Sequence, residues 1–153
     1  MSAPPDPQPG RAPVQLRSDA FEPGQQIPLE YTRDGRNVSP PLRWSGLPPD
    51  TLELALVFED TTEPFVHWLL YKIPADLERL PEGIQHKEEA AAVPGALQGR
   101  NSLGNVGYDG PLGTVGRTVH YRFRLYALDA PLDVPPGLDR DGLEDAMAGH
   151  VLA

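Results

Sequence analysis

The chain contains no cysteine, and this absence excludes several kinds of site at once. Disulfides, zinc ribbons, iron–sulfur clusters and a thiol nucleophile all require a cysteine sulfur. No apolar run approaches the ~18–20 residues that span a bilayer, so we expect no membrane span. Residues 1–13 lack the apolar core of a secretory signal, which leads us to predict a cytoplasmic protein.

Basic residues are also scarce, since 13 lysines and arginines face 22 aspartates and glutamates, a net charge of -9. A general nucleic-acid binder needs a basic face, so we expect no nucleic-acid partner. No serine lies in a GxSxG motif, and no HExxH or paired-histidine spacing indicates zinc. We therefore expect no metal, no cofactor and no enzymatic activity. We keep one enzymatic alternative, a hydrolase or lyase that uses the pair of Asp60 and His67 as a base.

Proline and glycine, by contrast, are abundant, with 19 and 15 residues in a chain of 153. Their combined share is nearly double the usual ~12 %. Disorder accounts only for residues 1–13, a proline-rich tail, because hydrophobic residues make up 39 % of the chain and fall in patterned runs. We predict a single domain over residues 14–153, in which turns separate short strands.

Apolar patterning predicts the main strands of this domain. The runs 52–58 and 66–73 indicate two adjacent strands, and the first is apolar on both faces, as central strands are. Alternation predicts a half-buried strand at 27–31 and an amphipathic strand at 119–125. Residues 141–144 resemble a capping box before a short helix. We predict a mainly all-β fold, an antiparallel β-sandwich with one or two short helices.

Asp60 and His67 are the first candidate site residues. Asp60 ends one predicted strand and His67 begins the next, so a hairpin would bring carboxylate and imidazole to the same end of the sheet. A neighbouring Asp fixes the tautomer of a His and favours the imidazolium. Alternation places His67 on the face of Leu69, opposite Trp68. The alternative interpretation is a core or rim histidine whose hydrogen bonds are satisfied by a local carboxylate.

A glycine-rich stretch supplies the second candidate feature. Glycine recurs at every third residue from Gly104 to Gly116. The run is too short for a collagen helix and lacks a GxGxxG or P-loop motif. Two interpretations stay open: a nest of backbone N–H groups that binds an anion, or a flexible surface loop.

The ordered set of motifs resembles the phosphatidylethanolamine-binding protein family, in its bacterial and archaeal branch, often called Raf kinase inhibitor-like. The matching pieces follow one another from residue 31 to residue 150 in the family's order. They are 31–42 (YTRDGRNVSPPL), 59–60 with Pro64, 66–68 (VHW), Gly99, 101–102 (NS), 107–108 (GY), 110–111 (GP), 125–129 (LYALD) and 146–150 (AMAGH).

The resemblance implies a β-sandwich with a small anion pocket at one end, which in the family accepts phosphate, sulfate, acetate or a phosphoethanolamine head group. Matched position by position, Asp60 and His67 stand in the pocket wall, Gly110 and Pro111 in its loop, and Tyr121 on the late strand. The implied function is non-enzymatic binding of small anions or of a phospholipid head group. The implied alternative is a protein-interaction module that modulates a kinase or protease.

Two departures from the family pattern affect the pocket. The second aspartate of the family's DPDxP motif is Thr62 here. Aligned backwards from residues 125–126, Val119 stands where the family has a histidine, whereas alignment forwards from residues 110–111, with one residue deleted before Tyr121, gives that place to His120. Strand alternation favours the first alignment, because it points His120 away from the face of Tyr121 unless a bulge re-aims it. We therefore expect one pocket histidine, His67, and keep His120 as a further candidate for ligand binding.

The C-terminal end is a third departure. Family members usually add one more short strand after the GHVLA stretch, whereas this chain ends at Ala153. We expect either a shortened chain or an uncovered sheet edge. An uncovered edge favours a partner strand, so a homodimer is among the expected assemblies.

Overall fold

A computed structural model describes residues 14–112 and 119–153. The described chain forms two antiparallel sheets and one short α-helix, as predicted for a mainly β-sandwich. The tail at 1–13 lies outside the described residues, so its disorder stays a prediction. The elements are β1 Gln15–Arg17, a 3₁₀-helix Leu29–Tyr31, β2 Leu42–Ser45, β3 Glu53–Asp60, β4 Phe65–Pro74, β5 Arg79–Leu80, β6 Leu97–Gln98, β7 Tyr121–Leu128 and α1 Arg140–Met147.

Strands β3 and β4 lie at the centre of the larger sheet, whose order is β6-β4-β3-β7. The central position explains why β3 is apolar on both faces. Leu54 and Phe58 share one core with Trp44 of the smaller sheet, β1-β2-β5. On the opposite face Val57 packs in a second core with Leu143 of α1. The result is three layers: small sheet, large sheet and helix.

An extra residue interrupts β4 opposite the end of β3. Phe58 pairs with Trp68 but Glu59 pairs with Val66, so His67 is the residue left over in the register. The His67 ring lies 5.2 Å from the ring of Phe58, which belongs to the same core as Trp68. The prediction that His67 faces away from Trp68 is therefore wrong. A β-bulge breaks the alternation and turns the imidazole toward the space between the sheets.

Residues 27–31 end in a 3₁₀-helix and not in the predicted strand. The Tyr31 N–H donates to the Pro28 carbonyl at 3.0 Å, and the Thr32 N–H donates to the Leu29 carbonyl at 3.0 Å. Pro28 has no N–H to offer a sheet. Tyr31 is buried and Ile27 packs against the core, but Leu29 between them is 65 % exposed, so the alternation does not describe one buried face.

The late strand and the helix keep their predicted order but not their predicted ends. Strand β7 begins at Tyr121, two residues later than the alternation suggested. The cap of α1 is Asp139, whose carboxylate accepts the Gly142 N–H at 2.8 Å. Asp141 lies inside the first turn, where its negative charge also suits the helix N-terminus.

A buried ion-pair network ties α1 to the end of β3. The Glu59 carboxylate is 3 % exposed and lies 2.8 Å from an Arg140 Nη and 2.8 Å from an Arg122 Nη. Arg140 also forms an ion pair with Glu144 at 3.0 Å. Glu144 was expected to complete the capping box, and it takes part in this network instead. Because Glu59 precedes Asp60, this network fixes the strand end on which the candidate site is built.

Candidate functional site

Three strand ends bring Asp60, His67 and Tyr121 together. Asp60 is the last residue of β3 and pairs with Phe65 of β4 on one side and with Tyr121 of β7 on the other. The His67 ring meets the Tyr121 ring edge-on at 5.4 Å and the Phe65 ring at 4.8 Å between centroids. A carboxylate, an imidazole and a phenol therefore lie together at one end of the large sheet.

The orientation of the His67 imidazole is set by the backbone of Asp109. His67 Nδ1 lies 2.9 Å from the Asp109 carbonyl oxygen, and the Asp109 N–H donates back to the His67 carbonyl at 3.1 Å. A carbonyl oxygen only accepts hydrogen bonds, so Nδ1 must carry the proton. In the neutral ring Nε2 then holds a lone pair, and in the imidazolium it is an N–H donor.

Burial lowers the pKa of His67 from its usual 6.5, because the side chain is 3 % exposed and its cation loses hydration. The hydrogen bond to the Asp109 carbonyl opposes this by raising the pKa. The Arg33 guanidinium lowers the pKa further, and the carboxylates of Asp60 and Asp109 raise it. The pKa stays below its usual value, so the unliganded imidazole is neutral at pH 7.

Asp60 does not hold the tautomer of His67, which corrects the expectation from the sequence. Its Oδ1 accepts the N–H groups of Thr62 at 2.6 Å and of Glu63 at 3.3 Å, and so closes the turn between β3 and β4. Asp60 acts on His67 only through its charge.

Asp109 is the central support of the site, and the sequence reasoning missed it. Its carboxylate accepts the side-chain amides of Asn37 at 2.9 Å, Asn101 at 2.7 Å and Asn105 at 3.0 Å. Desolvation raises the pKa of this carboxyl, but the three amide donors outweigh it and hold the pKa below its usual range. The asparagines are the signal that could have been used: Asn37 and Asn101 both lie in the motifs quoted above, and Asn105 in the same glycine-rich stretch.

The Gly110-Pro111 loop is pinned against the segment that follows the 3₁₀-helix. A Cβ on Gly110 would lie 2.0 Å from the Tyr31 carbonyl oxygen, so the position requires glycine. The Gly110 N–H donates to Asn37 Oδ1 at 2.7 Å. This N–H is therefore used inside the protein, and any backbone donors that the loop offers to an anion would be other N–H groups near Gly110.

A cleft of about 720 Å³ opens beside this end of the large sheet. Strands of both sheets line it, through Leu16 and Leu42 of the small sheet and Phe58 and Tyr121 of the large one, and Pro111 borders it from the loop. Cavities of this size hold small molecules. His67 is not among the lining residues, but Tyr121 is, and its ring lies 5.4 Å from the His67 ring, so this space adjoins the candidate site.

His120 borders the same cleft but its predicted role stays open. Its side chain is exposed, and its main-chain carbonyl accepts both the N–H of Thr61 at 2.9 Å and the hydroxyl of Thr61 at 3.0 Å. Val119 and His120 precede β7, so the alternation of that strand does not decide which way His120 points.

Within residues 14–112 and 119–153, no group of three or more His, Asp or Glu side chains is arranged to hold a metal ion. In that same part of the chain, no helix has the length and apolar composition needed to cross a bilayer.

Comparison with known proteins identifies the family. The family model described as phosphatidylethanolamine-binding protein matches residues 17–153. The chain belongs to the phosphatidylethanolamine-binding protein family. A UPF0098 protein of Methanothermobacter thermautotrophicus is 42 % identical to it over 144 residues, which cover 91 % of this chain and 92 % of that protein.

Two solved structures show that this member of the phosphatidylethanolamine-binding protein family also has the fold of its relatives. The phosphatidylethanolamine-binding protein homologue CT736 of Chlamydia trachomatis is 34 % identical, with a TM-score of 0.80 over 92 % of this chain and 91 % of that one. The E. coli protein YbcL, a member of the mammalian family, is 27 % identical, with a TM-score of 0.83 over 93 % of each chain. The resemblance inferred from the motifs is confirmed.

Proposed function

We propose that this phosphatidylethanolamine-binding protein family member binds small anionic groups, such as phosphate or carboxylate, without catalysing a reaction. The observation that supports the proposal is the environment of His67 Nε2. Nδ1 is occupied by the Asp109 carbonyl, and no described residue accepts or donates at Nε2. Nε2 is therefore the ring nitrogen that is left to meet a ligand.

An anion would bind to the imidazolium form of His67. The protonated Nε2 donates a charge-assisted hydrogen bond to an anion oxygen, worth about 1.5–3 kcal/mol. The nearby Asp60 carboxylate and the overall charge of -9 oppose the approach of an anion. We therefore expect affinities between millimolar and micromolar. The phosphate of a phospholipid head group has the same chemistry and is one form of the ligand.

The non-enzymatic part of the proposal is supported by the serine that contacts the chain next to His67. Ser102 Oγ accepts the N–H of Val66 at 2.7 Å, and Val66 directly precedes His67. This hydroxyl holds backbone together, and no hydrogen bond between the described residues joins it to the His67 ring as nucleophilic activation would require. Regulation of a kinase or protease, a homodimer and a cytoplasmic location stay predictions.

Nitrogen NMR of the imidazoles tests the proposal, since the four histidines of the chain provide their own controls. Sulfate or phosphate is titrated at constant ionic strength. We expect a saturable shift of His67 Nε2 from lone-pair to N–H values, with much smaller changes at His86, His120 and His150. A His67 signal that does not move at saturating anion would refute the proposed function.

A further inference from the structure

Arg33 lies beside the proposed anion site and is held there by the same loop that orients His67. Its Nε donates to the Gly110 carbonyl at 2.8 Å, while His67 Nδ1 donates to the preceding carbonyl, that of Asp109, at 2.9 Å. The main-chain N–H of Arg33 also donates to the Pro111 carbonyl at 3.0 Å. Two side chains that can both be cationic are thus anchored on consecutive carbonyl groups.

The two Nη atoms of Arg33 make no hydrogen bond with a polar group in the described part of the chain. Among the described residues no carboxylate forms an ion pair with Arg33, and neither Nη has a hydrogen-bond partner. This is unusual for a half-buried guanidinium in a chain with a net charge of -9. Its neighbour Arg36, by comparison, is far more exposed and pairs with Glu30 at 3.6 Å.

The electrostatics agree with this placement. The charge of Arg33 reaches His67 strongly enough to oppose protonation of the imidazole. Of the two carboxylates whose charges act on the imidazole, Asp109 is hydrogen-bonded to three asparagine amides and Asp60 to the turn after β3, and neither forms an ion pair with Arg33 in the described part of the chain. Once His67 is protonated, two adjacent cations therefore face the site, and an anion with two charges would neutralise both.

We propose that Arg33 is the second cationic group of the anion site and makes it select tetrahedral dianions, such as a phosphate monoester, over carboxylate monoanions. A guanidinium presents its Nη donors in a plane and bonds two oxygens of a phosphate or sulfate at once. A carboxylate that accepts from His67 leaves the second cation without a full counter-charge. The inference rests on the proposed function, and it adds the class of ligand and the residue that determines it.

The test compares Arg33→Gln with the matched control Arg36→Gln, with sulfate and acetate as the two probes. Both arginines lie in the same turn region and both substitutions remove one charge. A glutamine at position 33 can still donate to the Gly110 carbonyl. Arg33→Lys is made in parallel, because it keeps the charge and loses the planar pair of donors. Thermal unfolding shows that each variant is folded before binding is measured by calorimetry and by the His67 signal.

We expect Arg33→Gln to weaken sulfate about tenfold or more, as the loss of a charge-assisted hydrogen bond implies, and to weaken acetate less than about threefold. The pKa of His67 should rise in this variant, since a repelling charge is gone. Arg33→Lys should keep the low pKa and lose part of the preference for sulfate. Arg36→Gln should bind both anions as the wild type does.

Two results would overturn the assignment of Arg33. Equal losses for sulfate and acetate would show that it attracts anions without selecting among them. Unchanged sulfate binding in Arg33→Gln, with His67 still responding, would refute the role of Arg33 and leave the proposed function standing. If wild-type His67 responds to neither anion, the proposed function itself fails.

Discussion

Anion binding through His67 should take up a proton, so the affinity should fall as the pH rises. In the unliganded protein Nδ1 donates to the Asp109 carbonyl, and the neutral ring presents the Nε2 lone pair, which repels an anion oxygen. A hydrogen bond to the ligand requires protonation of Nε2. Burial and the charge of Arg33 hold the pKa of His67 below its usual 6.5, so this proton is absent at pH 7.

The size of the effect follows from linkage. Above the pKa of the free imidazole, each pH unit costs about 1.4 kcal/mol, a tenfold loss of affinity. The loss levels off once it equals the charge-assisted hydrogen bond, about 1.5–3 kcal/mol. Between about pH 5 and about pH 8 the affinity should therefore fall roughly 10- to 150-fold. The sign is fixed, because the ligand raises the pKa of a group that the free protein keeps neutral.

Calorimetry with sulfate measures this directly, since sulfate keeps its charge over the whole range. Titrations in buffers of different ionisation enthalpy count the protons, and we expect uptake of up to one proton per sulfate, largest between the pKa of the free imidazole and that of the sulfate-bound imidazole. His67→Asn keeps an amide donor near the place of Nδ1 and should bind weakly at every pH. His120→Gln should retain the pH dependence. A wild-type affinity that is flat with pH, with no proton uptake, would refute the role given to His67.

Three further predictions concern the frame of the site. Gly110→Ala should destabilise the protein by at least about 1–3 kcal/mol in urea unfolding, because its Cβ would lie 2.0 Å from the Tyr31 carbonyl oxygen; an unchanged midpoint would contradict the close approach. Asp109→Asn should cost about 1–3 kcal/mol at pH 7, since an amide would face three amide donors. The lowered pKa of Asp109 means that its contribution is present above its usual 3.8 and is lost as the pH falls through the folded value, so wild type and variant should converge in acid. Glu59→Gln should cost about 3 kcal/mol, the lower end for a buried ion pair because Arg140 is partly exposed, and a double-mutant cycle with Arg140→Met should show coupling; additive effects would contradict the network.

The fold was predictable because its central strands carry an unambiguous pattern. The runs that became β3 and β4 are apolar on both faces, and only the middle of a sheet buries both. The alternation at 27–31 was ambiguous, since one turn of 3₁₀-helix also separates an exposed Leu29 from a buried Tyr31. Pro28 was the deciding residue, because it removes a backbone donor that a strand would need.

The residues that form the site were predictable from the sequence, but the contacts between them were not. Asp60, His67 and Tyr121 meet because the ends of three neighbouring strands meet. The direction of His67 could not be read from alternation, since a bulge depends on how two strands pair and not on either strand alone. The support by Asp109 was equally hidden, because Asn37 reaches it from a distant part of the chain and because its carboxylate is not itself a proposed ligand-binding group.

A crystal structure of the protein with sulfate at about pH 6 tests the central claim most directly. The account predicts a sulfate oxygen about 2.7–2.9 Å from His67 Nε2, with Nδ1 still bonded to the Asp109 carbonyl. Sulfate bound elsewhere while His67 Nε2 faces only solvent or a protein group would contradict it.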